Sequence, residues 1–343
     1  MDAAELERGD RALRQNDRVA SRRQRLIRLV REPLTPRSFA LLSVVGLAAL
    51  GVIVLSGAAV RLTGSGLGCP DWPKCYGHVF APLQTHALIE YGNRLLSGFV
   101  GVVTVVIAIA AFRRRPFRRD LAILATLLPL GVVAQAVLGG LTVENKLAPG
   151  FVMAHFALSM LIVVAAAALA WCARNEPGSR QRTRDAVSVW AVRGLLPLGA
   201  LTIFAGTAAT AAGPHAGGNP GQKIVRLTFE GRGTYDWAIH RHAEIGLALV
   251  LAVLVVRTLV RRRGKSDPLL TRSLTVAAGL LVAQAVVGIV QYELKVPGEL
   301  VWLHVSLATG IWIALLWATA AAGRLVARQS GARSSLARAP AAQ

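Results

Sequence analysis

The sequence predicts an all-α membrane protein with eight transmembrane helices. Of its 343 residues, 54% are hydrophobic and only 17% are charged, whereas about 25% of the residues in soluble domains are charged. Eight apolar stretches are each long enough to cross a bilayer, which takes roughly 20 helical residues. Basic residues lie between these stretches and produce the net charge of +21. This distribution argues against a nucleic-acid-binding protein, in which basic residues would form one face.

The predicted helices follow one another with polar connections, at residues 38–60, 87–112, 121–141, 152–172, 190–211, 238–260, 272–292 and 300–322. No cleavable signal peptide is expected, because residues 1–37 are mostly polar and lack a continuous apolar core. Within this tail, residues 21–31 have the composition of a short basic helix that lies on a membrane surface.

The positions of Lys and Arg predict that both termini are cytoplasmic. Most of the 39 basic residues fall in segments that alternate helices would place on one side of the membrane, namely 1–37, 113–119, 174–193, 257–272 and the tail 323–343. Cytoplasmic loops retain such an excess of positive charge. The net charge is therefore chiefly an orientation signal.

An internal repeat divides the chain into two halves. A shift of 149 residues places AQAVLG at 134–139 on AQAVVG at 283–288, and it places His155 on His304. Each half has an even number of helices, so both halves insert with the same polarity, related by an axis along the membrane normal. The sequence thus predicts two tandem four-helix bundles, with the ranges 38–172 for the N-terminal half, 173–189 for a cytoplasmic linker and 190–322 for the C-terminal half.

Three histidines, His155, His242 and His304, fall inside apolar helices, where a polar ring is costly and indicates function. His242 and His304 are 62 residues apart and lie near the same membrane face, which favours a heme held between two imidazoles. Hydrogen bonding in the bundle core, another metal and a proton relay are the alternatives. His240 points to the opposite side of its helix from His242, and only His242 has a partner at the repeated spacing.

In the N-terminal half the same spacing places Asn93 opposite His155. Asn is a poor iron ligand, so a heme bound here would have one strong ligand and an open or weakly occupied sixth position. Glu90 lies three residues before Asn93, on the same helix face. It is interpreted either as a buried acid or base beside a macrocycle or as a carboxylate stabilised near a helix N-terminus.

The first connection, RLTGSGLGCPDWPKCYGH at residues 61–78, is rich in Gly and Pro. Cys69 and Cys75 lie on the predicted oxidising side, which favours a disulfide. A zinc site that adds His78 or His86, and a redox-active thiol pair, are the alternatives. The third cysteine, Cys172, is expected to be an inert free thiol.

Several other polar residues lie near the predicted outer helix ends: Arg61, Arg94, Arg241 and His215. The arginines are expected either to pair with heme propionates or to extend towards the membrane surface. His215 is expected to contact a propionate or substrate, or to be a solvated loop residue.

Five motifs together resemble the heme A synthase family: RLTGSGLGCPDWPKC at 61–75, IEYGNRLLSG at 89–98, Ala154–His155, GPHAG at 213–217 and LHVSLAT at 303–309. The resemblance covers roughly residues 40–322. It implies an eight-helix enzyme of a bacterial inner membrane, with heme b in the C-terminal half and heme O as substrate in the N-terminal half. Oxidation of the C8 methyl group of heme O to a formyl group would then supply heme A to terminal oxidases.

The resemblance also implies roles for individual residues: His242 and His304 as axial ligands of heme b, His155 facing the substrate, Glu90 as an essential carboxylate, and Cys69 and Cys75 as a disulfide. The chain departs from the family's usual Glu-x-x-His-Arg pattern, because Asn93 stands in place of the histidine. Heme O synthase and terminal oxidase assembly factors are the expected protein partners. The alternative function is a non-enzymatic transmembrane b-type cytochrome that relays electrons between quinol and an outer acceptor.

Overall fold

The computed structural model describes residues 33–178, 183, 185–219, 221–229, 233–264, 268–323 and 325. The prediction of a basic helix at 21–31 lies outside the described residues, as do most of both tails and the middle of the linker.

The described residues form eight long α-helices with only isolated β-bridges between them. The helices are α1 (Pro36–Leu62), α2 (Thr85–Arg113), α3 (Arg119–Glu144), α4 (Pro149–Arg174), α5 (Ala186–Ala212), α6 (Thr234–Arg263), α7 (Pro268–Glu293) and α8 (Gly298–Ala321). Each is long and apolar enough to cross a membrane. The prediction of an all-α, eight-helix membrane protein is confirmed.

Most helices extend a few residues beyond the predicted apolar stretches, and capping residues set where two of them begin. The Thr35 hydroxyl accepts a hydrogen bond from the Ser38 amide at the start of α1. The Asp185 carboxylate does the same for the Ser188 amide at the start of α5. Both satisfy a backbone donor that has no partner within the helix. Gly264 ends α6 at a φ of 59°, a conformation that favours glycine.

The described residues form two large hydrophobic cores, one in each half, and a small third cluster of Cys69, Cys75 and Ala87. The first consists of side chains of α1 to α4 with Trp312 added from α8, and the second joins α5 to α8. Many apolar side chains on the helix surfaces are instead exposed, as at Leu41, Phe99 and Val133, which is the expected state of lipid-facing positions. The helix α8 joins the halves, since Trp302 donates a hydrogen bond to the Leu55 carbonyl at 3.0 Å.

Connections between helices gather at the two ends of the bundle. The end that carries Cys69 and Cys75, here called the disulfide end, also contains the turns α3–α4 and α7–α8. These two turns have positive φ at Lys146 and Leu147 and, 149 residues later, at Lys295 and Val296. The matching conformations agree with the predicted repeat; its symmetry axis and the cytoplasmic location of the termini stay predictions.

The opposite end, here called the arginine end, is held by ionic contacts. Arg114 is completely buried and pairs with Glu176, which follows α4. Arg118 donates to the Cys172 carbonyl at 2.8 Å, so the α2–α3 connection is fixed to the end of α4. Cys172 is half-buried and forms no disulfide.

Candidate functional site

Two imidazoles face each other in the C-terminal half. The rings of His242 on α6 and His304 on α8 have their centres 6.0 Å apart and their planes at 65°. Nδ1 of His242 is 3.1 Å from the Thr202 carbonyl, which leaves Nε2 free. Metal-ligating imidazoles are commonly held in this way through their other nitrogen. Imidazoles on opposite sides of one metal have ring centres about 6 Å apart, since each metal–nitrogen bond is about 2 Å.

The structure places His240 elsewhere. Its side chain is exposed and its Nδ1 lies 2.6 Å from the Asp236 carbonyl, one turn earlier on the same helix. His242, and not His240, therefore faces His304, which agrees with the choice made from the repeated spacing. The assignment of His242 as a ligand stays a prediction.

Glycines on neighbouring helices make room for these rings. A Cβ atom on Gly206 would lie 2.9 Å from Cε1 of His242, and one on Gly288 would lie 3.3 Å from Cε1 of His304. Both separations are shorter than ordinary van der Waals contact. Any larger residue would displace the ring, so these glycines help to set the imidazole orientation.

His155 on α4 is the counterpart of His304 in the N-terminal half, and it also packs against a glycine of the neighbouring helix. A Cβ atom on Gly139 would lie 3.3 Å from its Cε1. The Gln135 amide donates to the His155 carbonyl at 2.9 Å and to the Ser159 hydroxyl at 2.5 Å, which fixes α3 to α4 beside the ring. Asn93 on α2 has its side-chain oxygen 2.7 Å from the Ser56 hydroxyl.

Both halves contain buried polar atoms without a hydrogen-bond partner in the described part of the chain. They include Nδ1 of His155 and of His304, and Oε1 of Gln135 and of Gln284. Such atoms are rare in proteins and need an explanation. Such atoms fit sites in which a bound group with polar substituents supplies the missing hydrogen-bond partners.

Glu90 and Arg94 anchor residues 69–78, here called the disulfide loop. Glu90 is 5% exposed, and its Oε2 accepts a hydrogen bond from the Cys69 amide at 2.7 Å. Its Oε1 pairs with Arg94 at 2.6 Å. The Arg94 guanidinium also donates to the carbonyls of Asp71 and Lys74. Both Glu90 oxygens are thus used to hold this loop on α2.

The disulfide loop is compact. Cys69 and Cys75 are joined by a disulfide and are both buried, as expected from the sequence, so neither sulfur is available to zinc. The Asp71 carboxylate accepts hydrogen bonds from the Gly77 and Tyr76 amides at 2.8 and 2.6 Å. These bonds, that from Gly77 foremost, hold the pKa of Asp71 below its usual value.

Trp72 extends the disulfide loop across to α3. A Cβ atom on Gly140 would lie 2.7 Å from the Trp72 ring, so the indole packs directly against the helix backbone. Gly140 follows Gly139, which contacts His155. The loop therefore spans the end of the N-terminal half, from Glu90 on α2 to the part of α3 beside His155.

Arg61 connects the two halves. It donates from Nε to the His215 carbonyl at 2.7 Å and from Nη2 to the Thr210 carbonyl at 3.2 Å. Nε2 of His215 in turn lies 2.7 Å from the Val296 carbonyl, in the α7–α8 turn. The described contacts of Arg61 and Arg94 are thus with the protein, and binding of propionates by them stays a prediction.

Sequence reasoning missed several contributors to these sites: Ser56, Trp72, Gly140, and the role of Gln135 in joining two helices. The repeat carried a signal for some of them, because Gln135 aligns with Gln284 and Gly139 with Gly288. No sequence signal indicates that Trp72 packs on Gly140.

Comparisons with known proteins show the relationships of the chain. Residues 40–316 match a family described as cytochrome oxidase assembly protein, COX15-CtaA. A heme A synthase of Shewanella oneidensis is 27% identical over 290 residues, which cover 72% of this chain and 85% of the relative. A heme A synthase of Shouchella clausii is 28% identical over 291 residues, which cover 79% and 92%. A protoheme IX farnesyltransferase of Thermus thermophilus is 31% identical over 275 residues, which cover 76% of this chain but 45% of the relative.

Proposed function

The chain belongs to the COX15-CtaA family of cytochrome oxidase assembly proteins, and we propose that it is a heme A synthase. Its reaction is the oxidation of the C8 methyl group of heme O to a formyl group, which removes four electrons and adds one oxygen atom. The observation that carries this proposal is the match to relatives named heme A synthase, which extends over most of both chains.

The C-terminal half fits a resident heme b. His242 and His304 would hold its iron, and the bound group would supply one-electron transfer. The surroundings of the two histidines support this proposal. The Thr202 carbonyl orients one imidazole, and Gly206 and Gly288 leave room for both rings.

The N-terminal half is the proposed site of heme O, the substrate, with His155 as the residue that faces its iron. Gln135 fixes α3 to α4 beside this residue. Glu90 and Arg94 hold the disulfide loop across the end of the same half, with Trp72 packed on α3. We propose that this loop restricts the access of water to the substrate. Glu90 then acts first as a positioning residue, and its role in proton transfer stays a prediction.

The alternative of a non-enzymatic b-type cytochrome is not supported. The relatives are named for heme A synthesis. An electron relay through two hemes would be served best by two histidine pairs, whereas the repeat places Asn93 where the C-terminal half has His242.

The relative from Thermus thermophilus supports the proposal that a partner protein makes the substrate. This chain spans less than half of a relative whose name, protoheme IX farnesyltransferase, describes addition of a farnesyl group to heme. We propose that a heme O synthase supplies the substrate to this protein. The protein is a multi-pass membrane protein; a bacterial inner membrane, cytoplasmic termini and contact with terminal oxidase assembly factors are parts of the proposal.

Replacement of His155 tests the proposal. His155→Ala should abolish heme A formation while the C-terminal half retains its heme b, because the two sites lie in different halves. His240→Ala is the matched control, since His240 is exposed and bonded within its own helix. Unchanged heme A output from His155→Ala would place the substrate elsewhere.

A further inference from the structure

The two halves differ at a pair of neighbouring residues beside the histidines. At the repeat shift of 149 residues, Ser56 corresponds to Ala205 and Asn93 corresponds to His242. The N-terminal half therefore combines a hydroxyl with an amide at positions where the C-terminal half combines a methyl group with an imidazole. The two substitutions are in direct contact, because the Ser56 hydroxyl lies 2.7 Å from the Asn93 side-chain oxygen.

In the C-terminal half, the imidazole occupies the space against α5. Nδ1 of His242 is bonded to the Thr202 carbonyl, and the ring lies so close to Gly206 that a Cβ there would be 2.9 Å away. The Thr202 carbonyl and Gly206 thus position this ring.

In the N-terminal half, the corresponding carbonyl and glycine have different neighbours. Ile53, the counterpart of Thr202, has its carbonyl 3.1 Å from the Ser56 hydroxyl. A Cβ atom on Gly57, the counterpart of Gly206, would meet no atom within 4 Å. The carbonyl that binds an imidazole in one half lies beside a serine hydroxyl in the other, whose single proton is donated over the shorter distance to Asn93, and no atom of the described residues fills the space beside the glycine.

Asn93 is held in place but offers no imidazole. Its side-chain oxygen is bonded to Ser56, and its amide nitrogen has no hydrogen-bond partner among the described residues. Iron in proteins favours imidazole ligands over amides, so Asn93 is suited to donate a hydrogen bond and not to ligate.

We infer that the N-terminal site holds the iron of its heme by His155 alone and leaves the opposite side open to a small ligand, hydrogen-bonded by Asn93. The ligand class is a water-sized molecule or another small donor such as imidazole. This inference rests on the proposed function, because it takes heme O as the group bound beside His155. It adds that Ser56 and Asn93 keep a second protein ligand away from the substrate iron.

The test uses the full-length protein produced together with a heme O synthase and purified with its hemes. The measurements are the heme content by extraction and the ferric spin states by electron paramagnetic resonance, before and after addition of imidazole. The inference predicts one low-spin heme and one high-spin heme, with imidazole converting only the second to low spin. The double variant Ser56→Ala with Asn93→His should show two low-spin hemes without imidazole, because it reproduces the pair of the C-terminal half.

Ser97→Ala is the matched control, since the Ser97 hydroxyl bonds the Asn93 backbone carbonyl and not its amide; it should titrate with imidazole as the wild type does. Two hemes that are both low-spin in the wild type, with no response to imidazole, would overturn the inference and leave the proposed function intact. A folded protein that holds heme b but no heme O would overturn both. The wild-type titration decides the inference even if the double variant does not fold.

Discussion

The contact between Glu90 and the disulfide loop leads to a quantitative prediction. Glu90→Ala removes the acceptor of the Cys69 amide and the ionic partner of Arg94. The Cys69 amide would then be buried without a partner, since Cys69 is fully buried. Arg94 would keep the loop carbonyls of Asp71 and Lys74 as acceptors.

The size of the effect follows from these two losses. A buried donor left without a partner costs about 1–3 kcal/mol, and removal of one member of a buried ion pair costs about 3–5 kcal/mol. The total lies below about 4 kcal/mol, the sum of the two lower values, because the Arg94 side chain is 19% exposed and retains other acceptors. We expect opening of the loop to become easier by about 3 kcal/mol, which is on the order of a 100-fold increase in the open population.

Reduction of the Cys69–Cys75 disulfide measures this opening, because both cysteines are buried in the closed loop. The rate of reduction by a water-soluble phosphine should rise on the order of 100-fold in Glu90→Ala, and less in Glu90→Gln, which retains one acceptor. Glu244→Gln is the matched control, because its ion pair with Arg241 is exposed and worth about 0–1 kcal/mol. A wild-type reduction rate in Glu90→Ala would refute the anchoring role of this carboxylate.

Three further predictions concern the histidines and the loop. His242→Ala and His304→Ala should each abolish the low-spin heme b signal while His240→Ala preserves it, measured by absorption spectroscopy; loss of the signal in His240→Ala alone would show that His240, and not His242, holds the heme. Gly288→Val should lower the heme b content because its side chain would displace the His304 ring, whereas Gly279→Val, at a position where a Cβ meets nothing within 4 Å, should not; equal heme content in both variants would contradict this role. The lowered pKa of Asp71 means that its carboxylate stabilises the loop fully above the ordinary Asp pKa of about 4 and loses this effect as the pH falls through the folded-state pKa. Phosphine reduction should therefore accelerate more steeply below about pH 4 in the wild type than in Asp71→Asn, where only the other carboxylates of the loop's anchor titrate, and a parallel pH dependence in both would contradict it.

The helices could be predicted from the sequence because the length and polarity of each apolar stretch decide whether it crosses a membrane. Their ends were less predictable, since capping residues such as Thr35 and Asp185 lie outside the apolar stretches. The choice of His242 over His240 as the partner of His304 could be made from the sequence, because only His242 repeats the 62-residue spacing of Asn93 and His155.

The surroundings of Glu90 and Arg61 could not be predicted in the same way. Glu90 binds a backbone amide 21 residues away, across a Gly- and Pro-rich loop whose path is not set by periodicity. Arg61 binds a carbonyl of the other half, 149 residues away. Backbone amides and carbonyls carry no sequence signature, so contacts with them appear only once the fold is known.

The proposed function is tested most directly in a host that makes no heme A. The chain is produced there with a heme O synthase, and the extracted hemes are identified by chromatography. The proposed function predicts heme A only when this chain is present, with none from the synthase alone. A folded protein that retains heme b in its C-terminal half and leaves heme O unchanged would contradict it.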